Sequence, residues 1–151
     1  MKATVDGLGN RTSFVYDADG NQIATTNPLG DRTTSVFDTL NRQVATIDAL
    51  NNRSTTAYDD ASRAVASINP LGNRWSTAYN AASQPVASID PLNNRSTNVY
   101  DAAGNEITRW DANGNRTTSI YDAAGEPIAA VNALGNRETT VYDAAGQATA
   151  L

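Results

Sequence analysis

The chain has 151 residues, a net charge of −5, and neither cysteine nor histidine. The missing side chains exclude disulfide bonds, cysteine-based zinc or redox sites, and every catalytic or metal site that requires histidine. Acidic and basic residues are interleaved rather than clustered, which argues against a nucleic-acid-binding surface. No apolar run reaches the ~20 residues of a membrane span.

An aromatic residue recurs every 21 residues along the whole chain. An Asp or Asn follows each one directly, and an arginine precedes each by five residues. A strict period of this length is typical of repeat proteins, in which each unit packs mainly against its neighbours. We therefore expect a single array over residues 1–151. It comprises the end of a partial unit at 1–4 and seven units at 5–25, 26–46, 47–67, 68–88, 89–109, 110–130 and 131–151, with the aromatic residues at Tyr16, Phe37, Tyr58, Tyr79, Tyr100, Tyr121 and Tyr142.

Each unit contains two strand-like segments and two turn-like segments. The first segment follows the pattern Arg-Thr-Thr-x-x-Tyr, as in Arg116–Tyr121, and the second is rich in Val and Ile, as in Gln43–Ile47. One turn begins at the Asx after the tyrosine, as at 17–20, and the other begins ten residues later, as at 27–30. Asx at the first position caps a turn, and Gly or Asn suits a left-handed fourth position. The pattern predicts β-hairpins built on a type I turn followed by a left-handed residue.

These elements predict an all-β fold, since no segment has helical periodicity. We expect a long antiparallel meander of about fourteen short strands, one hairpin per unit, that coils or spirals. Side chains alternate between sheet faces, so a 21-residue unit would turn equivalent residues to opposite faces unless it absorbs one residue. We expect a bulge near one of the two turns to do this. The alternative is a β-solenoid with one parallel coil per unit, in which the odd number of residues per unit imposes no constraint.

The phrase Gly-Asn-Arg-Thr-Thr-x-x-Tyr-Asp-Ala-Ala-Gly resembles the RHS/YD repeats of bacterial toxins, toxin-complex subunits, wall-associated proteins and teneurins. The resemblance covers the whole chain and is most specific between Gly114 and Gly135. The chain departs from the family pattern at Phe37, Asn80, the pair Leu40-Asn41, and the serines Ser62 and Ser83. The resemblance implies that the hairpins form a long sheet that spirals into a hollow shell around a toxic or folded domain.

No residue pattern indicates catalysis. The carboxylates recur at most of the turns, whereas a catalytic pair should break the repeat, so we expect no enzyme and no cofactor. Residues 17–21 (Asp-Ala-Asp-Gly-Asn) and 111–115 (Asp-Ala-Asn-Gly-Asn) resemble the opening of a calcium loop. Calcium also needs a later bidentate acid or further carbonyls, which these segments lack. Turn capping is the favoured interpretation, and we expect no metal site.

Two tryptophans break their columns in the repeat and are the candidate ligand-binding residues. Exposed Trp75 and Trp110 would be able to stack on sugars or anchor a partner. The alternative is that Trp110 fills the apolar column that Ile47, Ile68, Ile89 and Val131 occupy in other units. The arginine and aspartate columns suggest a cross-strand ladder of charge pairs, which would be a structural role.

The sequence therefore favours a structural, non-enzymatic scaffold: a segment of an RHS/YD shell or wall, or a self-assembling extracellular filament. The alternative is a cell-surface module that binds carbohydrate or another partner. The first unit (Val5 to Thr25) and the last (Val131 to Leu151) look like internal ones and lack features that block edge strands. We therefore expect further repeats on either side, or end-to-end pairing of copies. We expect an extracellular or cell-surface location, although Met1–Asn10 lacks the apolar segment of a signal peptide.

Overall fold

The structure, a computed structural model, describes residues 1–143 and 146–149, and all of their regular secondary structure is β. The strands are β1 (Lys2–Val5), β2 (Arg11–Tyr16), β3 (Gln22–Thr26), β4 (Arg32–Phe37), β5 (Gln43–Ile47), β6 (Arg53–Tyr58), β7 (Ala64–Ile68), β8 (Arg74–Tyr79), β9 (Pro85–Ile89), β10 (Arg95–Tyr100), β11 (Glu106–Trp110), β12 (Arg116–Tyr121), β13 (Pro127–Val131), β14 (Arg137–Thr139), β15 (Val141–Tyr142) and β16 (Ala148–Thr149).

The chain divides into two units, Met1–Ser76 and Thr77–Leu151, each of which is an antiparallel meander. Within each unit the strands lie in chain order, and β15 pairs separately with β16. Consecutive strands pair antiparallel, as in β2 with β3 and β12 with β13. The predicted antiparallel meander is therefore confirmed within each unit. A parallel solenoid would need parallel pairs, and none occurs among the strand pairs of the described residues.

The last repeat differs from the others, because its first strand is divided at Thr140 into β14 and β15. The backbone N–H of Thr140 still donates to the carbonyl of Ile128 at 2.9 Å. The expected unit 131–151 is only partly visible, since Ala144, Ala145, Ala150 and Leu151 lie outside the described residues. The division into seven repeats of one array stays a prediction.

A β-bulge absorbs the extra residue of the 21-residue repeat, so that equivalent side chains stay on the same face of the sheet. Between β2 and β3, Val15 pairs with Ala24, but the next residue, Tyr16, pairs with Gln22, so Ile23 is the extra residue. The same one-residue shift occurs beside Phe37, Tyr58, Tyr100 and Tyr121. The predicted bulge is thus confirmed in these hairpins. It lies at the turn that follows the aromatic residue, while the pairing at the other turn is regular, as in Thr26 with Arg32.

The turns of the described residues share one hydrogen-bonding geometry, although the residue at the fourth position varies. The N–H of that residue donates to the carbonyl of the first, as from Gly30 to Asn27 at 3.0 Å. The fourth position always has a positive φ, which is easy for glycine and strained for most other residues. Five turns have another residue there: Asn41, Asn51, Ser62, Ser83 and Asn93, with φ from 58° to 64°.

The sheet has almost no hydrophobic core. The apolar residues buried in the described chain are all alanines, at the middle of alternate strands: Ala24, Ala45, Ala66, Ala87 and Ala129. Thr108 takes this position in β11 and is also buried. Ala24, for example, pairs with Val15 on one neighbouring strand and with Thr34 on the other. Stability must therefore come from strand pairing, cross-strand contacts and turns.

The turns offer a direct test of this view. Asn51→Gly removes a left-handed side chain that asparagine tolerates better than most residues, and should raise the free energy of unfolding by at most about 0.5 kcal/mol. Gly30→Ala should lower it by about 1 kcal/mol, purely through the backbone, because an added Cβ at Gly30 meets no atom within 4 Å. Urea unfolding measures both changes. Gly7→Ala is the control, since Gly7 has no positive φ; a loss as large as that of Gly30→Ala would contradict the explanation.

Candidate functional site: turn rows and sheet faces

The repeat places two kinds of turn at opposite ends of the strands. The tyrosine turns follow an aromatic residue and the leucine turns precede an arginine. The tyrosine turns are residues 17–21, 38–42, 59–63, 80–84, 101–105 and 122–126, with residues 143, 146 and 147 described at the last one. The leucine turns are residues 6–10, 27–31, 48–52, 69–73, 90–94, 111–115 and 132–136.

The first residue of each turn uses its side chain to cap the turn. In turn 48–52, Asp48 Oδ1 accepts from the N–H groups of Leu50 at 2.9 Å and Asn52 at 2.8 Å, and Oδ2 accepts from Asn52 Nδ2 at 2.9 Å. Asn69 makes the same two backbone contacts with its amide oxygen, each at 3.0 Å. Asp and Asn are therefore interchangeable at this position, because both provide an oxygen acceptor.

These hydrogen bonds lower the pKa of capping aspartates such as Asp48. At Asp48 the largest cause is the side-chain bond from Asn52, followed by the backbone bond from the same residue. At Asp38, desolvation acts in the opposite direction, but the hydrogen bonds from Arg42 outweigh it and the pKa falls. The aspartates with a lowered pKa are Asp6, Asp17, Asp38, Asp48, Asp59, Asp90, Asp101 and Asp111.

The same contacts account for the two calcium-like segments. Asp17 Oδ1 accepts from the N–H groups of Asp19 and Asn21, and Oδ2 accepts from Asn21 Nδ2. Asp111 does the same with Asn113 and Asn115. The carboxylates are turned toward their own backbone, as turn capping requires. Among residues 1–143 and 146–149, no group of three acidic side chains is arranged to hold a metal ion.

Neighbouring tyrosine turns contact one another along the sheet. Arg42 forms an ion pair with Asp38 of its own turn at 2.7 Å, and its Nη1 donates to the carbonyl of Asp59 at 2.9 Å and to Ser62 Oγ at 3.1 Å in the next turn. In the second unit, Gln84 Nε2 donates to the carbonyl of Gly104 at 3.2 Å. The fifth residue of a tyrosine turn therefore links successive hairpins.

The tyrosines provide a second link between hairpins. Tyr58 Oη donates to the carbonyl of Gln43, on the preceding strand, at 3.1 Å, and the guanidinium of Arg42 lies 4.8 Å from the centre of its ring. The same hydroxyl contact joins Tyr100 to Pro85 at 3.1 Å, Tyr121 to Glu106 at 3.3 Å and Tyr142 to Pro127 at 3.1 Å. Each such neutral hydrogen bond is worth about 0.5 to 1.5 kcal/mol. Phe37 has no hydroxyl and lacks this bond.

The arginine column does not form the expected ladder with the aspartates. Arginine begins its strand and the aspartate follows its end, so the two columns lie at opposite ends, roughly 20 Å apart at 3.3 Å per residue. The ion pairs found in the described chain instead join positions one and five of a turn, as in Arg42 with Asp38 and Arg63 with Asp59. The strand arginines, such as Arg11, Arg32 and Arg53, are exposed beside the leucine turns.

The two tryptophans occupy different environments. Trp110 pairs across strands with Arg116, whose guanidinium lies 5.5 Å from the centre of its ring. Ile47 has the corresponding partner, Arg53, so Trp110 takes the place of an aliphatic residue in that column. Trp75 pairs with Ser67 and is 43% exposed. The structure thus leaves more of Trp75 accessible, and a ligand-stacking role for either residue stays a prediction.

The sequence interpretation missed a row of exposed leucines at the third position of the leucine turns. Their side chains are 80–90% exposed, at Leu8, Leu29, Leu50, Leu71, Leu92 and Leu134. Asn113 holds this position in the sixth turn. The signal was present, because leucine recurred at a turn position that does not require an apolar residue. A lone exposed leucine needs no explanation, but a regular row of them is a candidate contact surface.

The lowered aspartate pKa values predict acid sensitivity. A group whose folded-state pKa is depressed stabilises the fold above its unfolded value and loses that contribution as the pH falls through the folded pKa. The free energy of unfolding should therefore decrease from about pH 4 downward. Asp48→Asn should keep the cap and make this decrease shallower, whereas Asn69→Asp should make it steeper. Urea titrations at several pH values would test this, and identical slopes for all three proteins would contradict it.

Comparison with known proteins gives a consistent result. A sequence profile of the family described as RHS Repeat matches residues 16–53 and 100–137. No curated protein sequence matches the chain. The solved structure described as TcdB2-TccC3 has a TM-score of 0.72 and 19% identity over 89% of this chain. The Photorhabdus luminescens Tc holotoxin pore with a mutation in TccC3 has a TM-score of 0.69 and 14% identity over 93% of this chain.

The structural likenesses show the fold, and the profile shows the family. The chain spans only 8% and 9% of the length of those two structures. The two profile matches, of 38 residues each, together cover just over half of the 151 residues. They contain the Tyr-Asp turn, the capped leucine turn and the arginine that begins the next strand. The chain belongs to the RHS repeat family.

Proposed function

We propose that the chain is a structural, non-enzymatic part of the wall of a longer RHS protein, in which residues 1–151 form one array that flanking repeats extend. The observation that carries this proposal is the use of the polar side chains. The recurring carboxylates cap turns, the tyrosine hydroxyls bond to the neighbouring strand, and the tyrosine turns bond to one another. These recurring turn and tyrosine side chains thus act within the sheet.

The lack of a core also supports a wall. Each hairpin buries little more than one alanine, so a single repeat would have too few contacts to fold by itself. Stability in such arrays is approximately a sum of repeat terms and neighbour terms. A long array is therefore the form in which this repeat is most stable. The small share of the RHS structures that the chain spans agrees with a segment of a longer parent.

The proposed place of action is outside the cell or at the cell surface. Support comes from the likeness to a structure described as a holotoxin pore. Within the described ranges, no helix is long and apolar enough to cross a membrane. A shell that encloses another domain is the favoured form of the wall, and an end-to-end filament would use the backbone edge of a terminal strand such as β1.

Extending the array should stabilise it. The change is to append a second copy of residues 89–130, two repeats, after residue 130 of the full chain. The urea midpoint and the free energy of unfolding should rise, because each added repeat brings a new interface with its neighbour. Circular dichroism per residue should stay the same.

A scrambled insert of the same 42 residues, with the same composition, is the control. The proposal fails if the repeated insert leaves the unfolding curve unchanged, or if it unfolds in a separate, earlier transition. Sedimentation of the purified chain would show at the same time whether copies associate end to end into a filament.

Carbohydrate binding is a second candidate, supported by the exposure of Trp75. Other repeats supply conservative replacements: Thr33 and Thr117 hold the position of Trp75, and Ile47 that of Trp110. If the exposed ring stacks on a sugar, glycan-array binding should be lost in Trp75→Thr and kept in Trp110→Ile. A wild-type chain that binds no glycan, or loses none on Trp75→Thr, would exclude this candidate.

A further inference from the structure

The two ends of the strands carry different chemistry. In the first unit, the leucine-turn end has four basic residues (Arg11, Arg32, Arg53, Arg74) and three acidic ones (Asp6, Asp31, Asp48), a net charge of +1. In the second unit, the tyrosine-turn end has no basic residue and five acidic ones, a net charge of −5. These are Asp101, Glu106, Asp122, Glu126 and Asp143.

The residues at the turn tips differ as well. The third position of the leucine turns in the first unit is Leu8, Leu29, Leu50 and Leu71, all strongly exposed. The third position of the tyrosine turns in the second unit is Ala82, Ala103 and Ala124, also exposed. One edge therefore presents large apolar side chains beside arginines, and the other presents small apolar side chains beside carboxylates.

The leucines are not required by the turn. Asn113 occupies the same position, and its N–H donates to Asp111 Oδ1 at 2.9 Å, just as the N–H of Leu92 donates to Asp90 Oδ1 at 2.8 Å. The left-handed fourth residue follows in both turns. Because the fold is indifferent to the side chain here, the recurrence of leucine points to a contact outside the unit that carries it.

The spacing of the two rows matches. Successive leucine tips are two strands apart, about 9.5 Å at 4.7–4.9 Å per strand, and successive alanine tips are separated in the same way. A partner of unrelated structure would have to reproduce this interval over four leucines. Another stretch of the same repeat reproduces it automatically. The leucines would fit over the alanines and glycines of the facing turns while the arginines approach the acidic side chains.

We propose that the leucine turns of the first unit dock edge to edge on the alanine-tipped tyrosine turns of the second unit in another copy of this array. This inference rests on the proposed function as a wall, and it names the surface through which one row of repeats contacts the next. The contact involves turn tips and side chains, not the backbone edge of a terminal strand. It joins unlike surfaces, so it is heterologous and leads to open or ring-like assemblies rather than closed dimers.

Two variants of the full chain test the proposal by complementation. The first combines Leu8→Asn, Leu29→Asn, Leu50→Asn and Leu71→Asn, and it copies the residue that Asn113 naturally provides at this turn position. The second combines Ala82→Arg, Ala103→Arg and Ala124→Arg, which adds bulk and positive charge to the acidic edge. Leu40→Ala, at a leucine on a tyrosine turn of the first unit, is the matched control. Circular dichroism and urea unfolding would establish that each variant folds.

Sedimentation over a range of concentrations gives the outcome. Wild type and Leu40→Ala should self-associate, more weakly at high salt, and each multiple variant alone should be monomeric. The association constant of the leucine variant should fall at least about 100-fold. Burying a single leucine strengthens association roughly tenfold, and this variant lacks four of them. A mixture of the two variants should form one-to-one complexes, because each retains the edge that the other lacks.

Three outcomes would overturn the inference. The first is a wild-type chain that is monomeric throughout. The second is continued self-association of the alanine-edge variant, which would mean that leucine edges pair with each other. The third is an absence of complexes in the mixture. The proposed function would survive these results if added repeats still raise stability, and it would fail separately if they do not.

Discussion

A repeat with an odd number of residues must leave one residue of each unit out of the regular strand pairing. The position of that residue determines which side chains lie on each face and edge of the sheet. In this chain the extra residue is Ile or Val, next to the aromatic end of the strand, as at Ile23 and Val44. The shift keeps Tyr58, Tyr100 and Tyr121 in equivalent positions, from which their hydroxyls reach the preceding strand. Without it, alternate tyrosines would face opposite sides and half of these bonds would be lost.

The lack of a core follows from this regularity. A sheet in which every hairpin is equivalent grows by adding neighbours, and only small residues such as Ala24 become buried in its middle. The free energy is then spread over many local terms of about 1 kcal/mol or less, namely cross-strand pairs and tyrosine hydroxyl bonds. Turn capping contributes as well. Each 21-residue unit contains two turns, and the capping side chain in each one accepts hydrogen bonds from backbone N–H groups that strand pairing does not satisfy.

Much of the fold could be predicted from the sequence, since local chemistry determines it. The capping Asx, the left-handed Gly or Asn and the Val-rich strands all act over five or six residues, and the structure has them where the pattern places them. Which of the two turns holds the bulge could not be predicted, because both turns have five residues and the same capping. The prediction of an arginine–aspartate ladder was wrong, because a repeated spacing along the chain does not imply that the two side chains lie close together in the sheet. Arg53 and Asp59 begin and follow the same strand, at its opposite ends.

The candidate surfaces were less predictable than the fold for a related reason. A residue that the fold requires is recognised by the backbone geometry around it, whereas a residue that serves a contact is recognised only when the fold is known to be indifferent to it. Leu50 and Asn113 occupy the same turn position with the same hydrogen bonds, so the choice between them is not made by the turn. Trp110 and Ile47 likewise share a place opposite arginine. In a repeat with no core, the turn tips and the exposed strand positions are free to vary without structural cost. A side chain that recurs there, as leucine does, is therefore the signal from which a contact surface can be inferred.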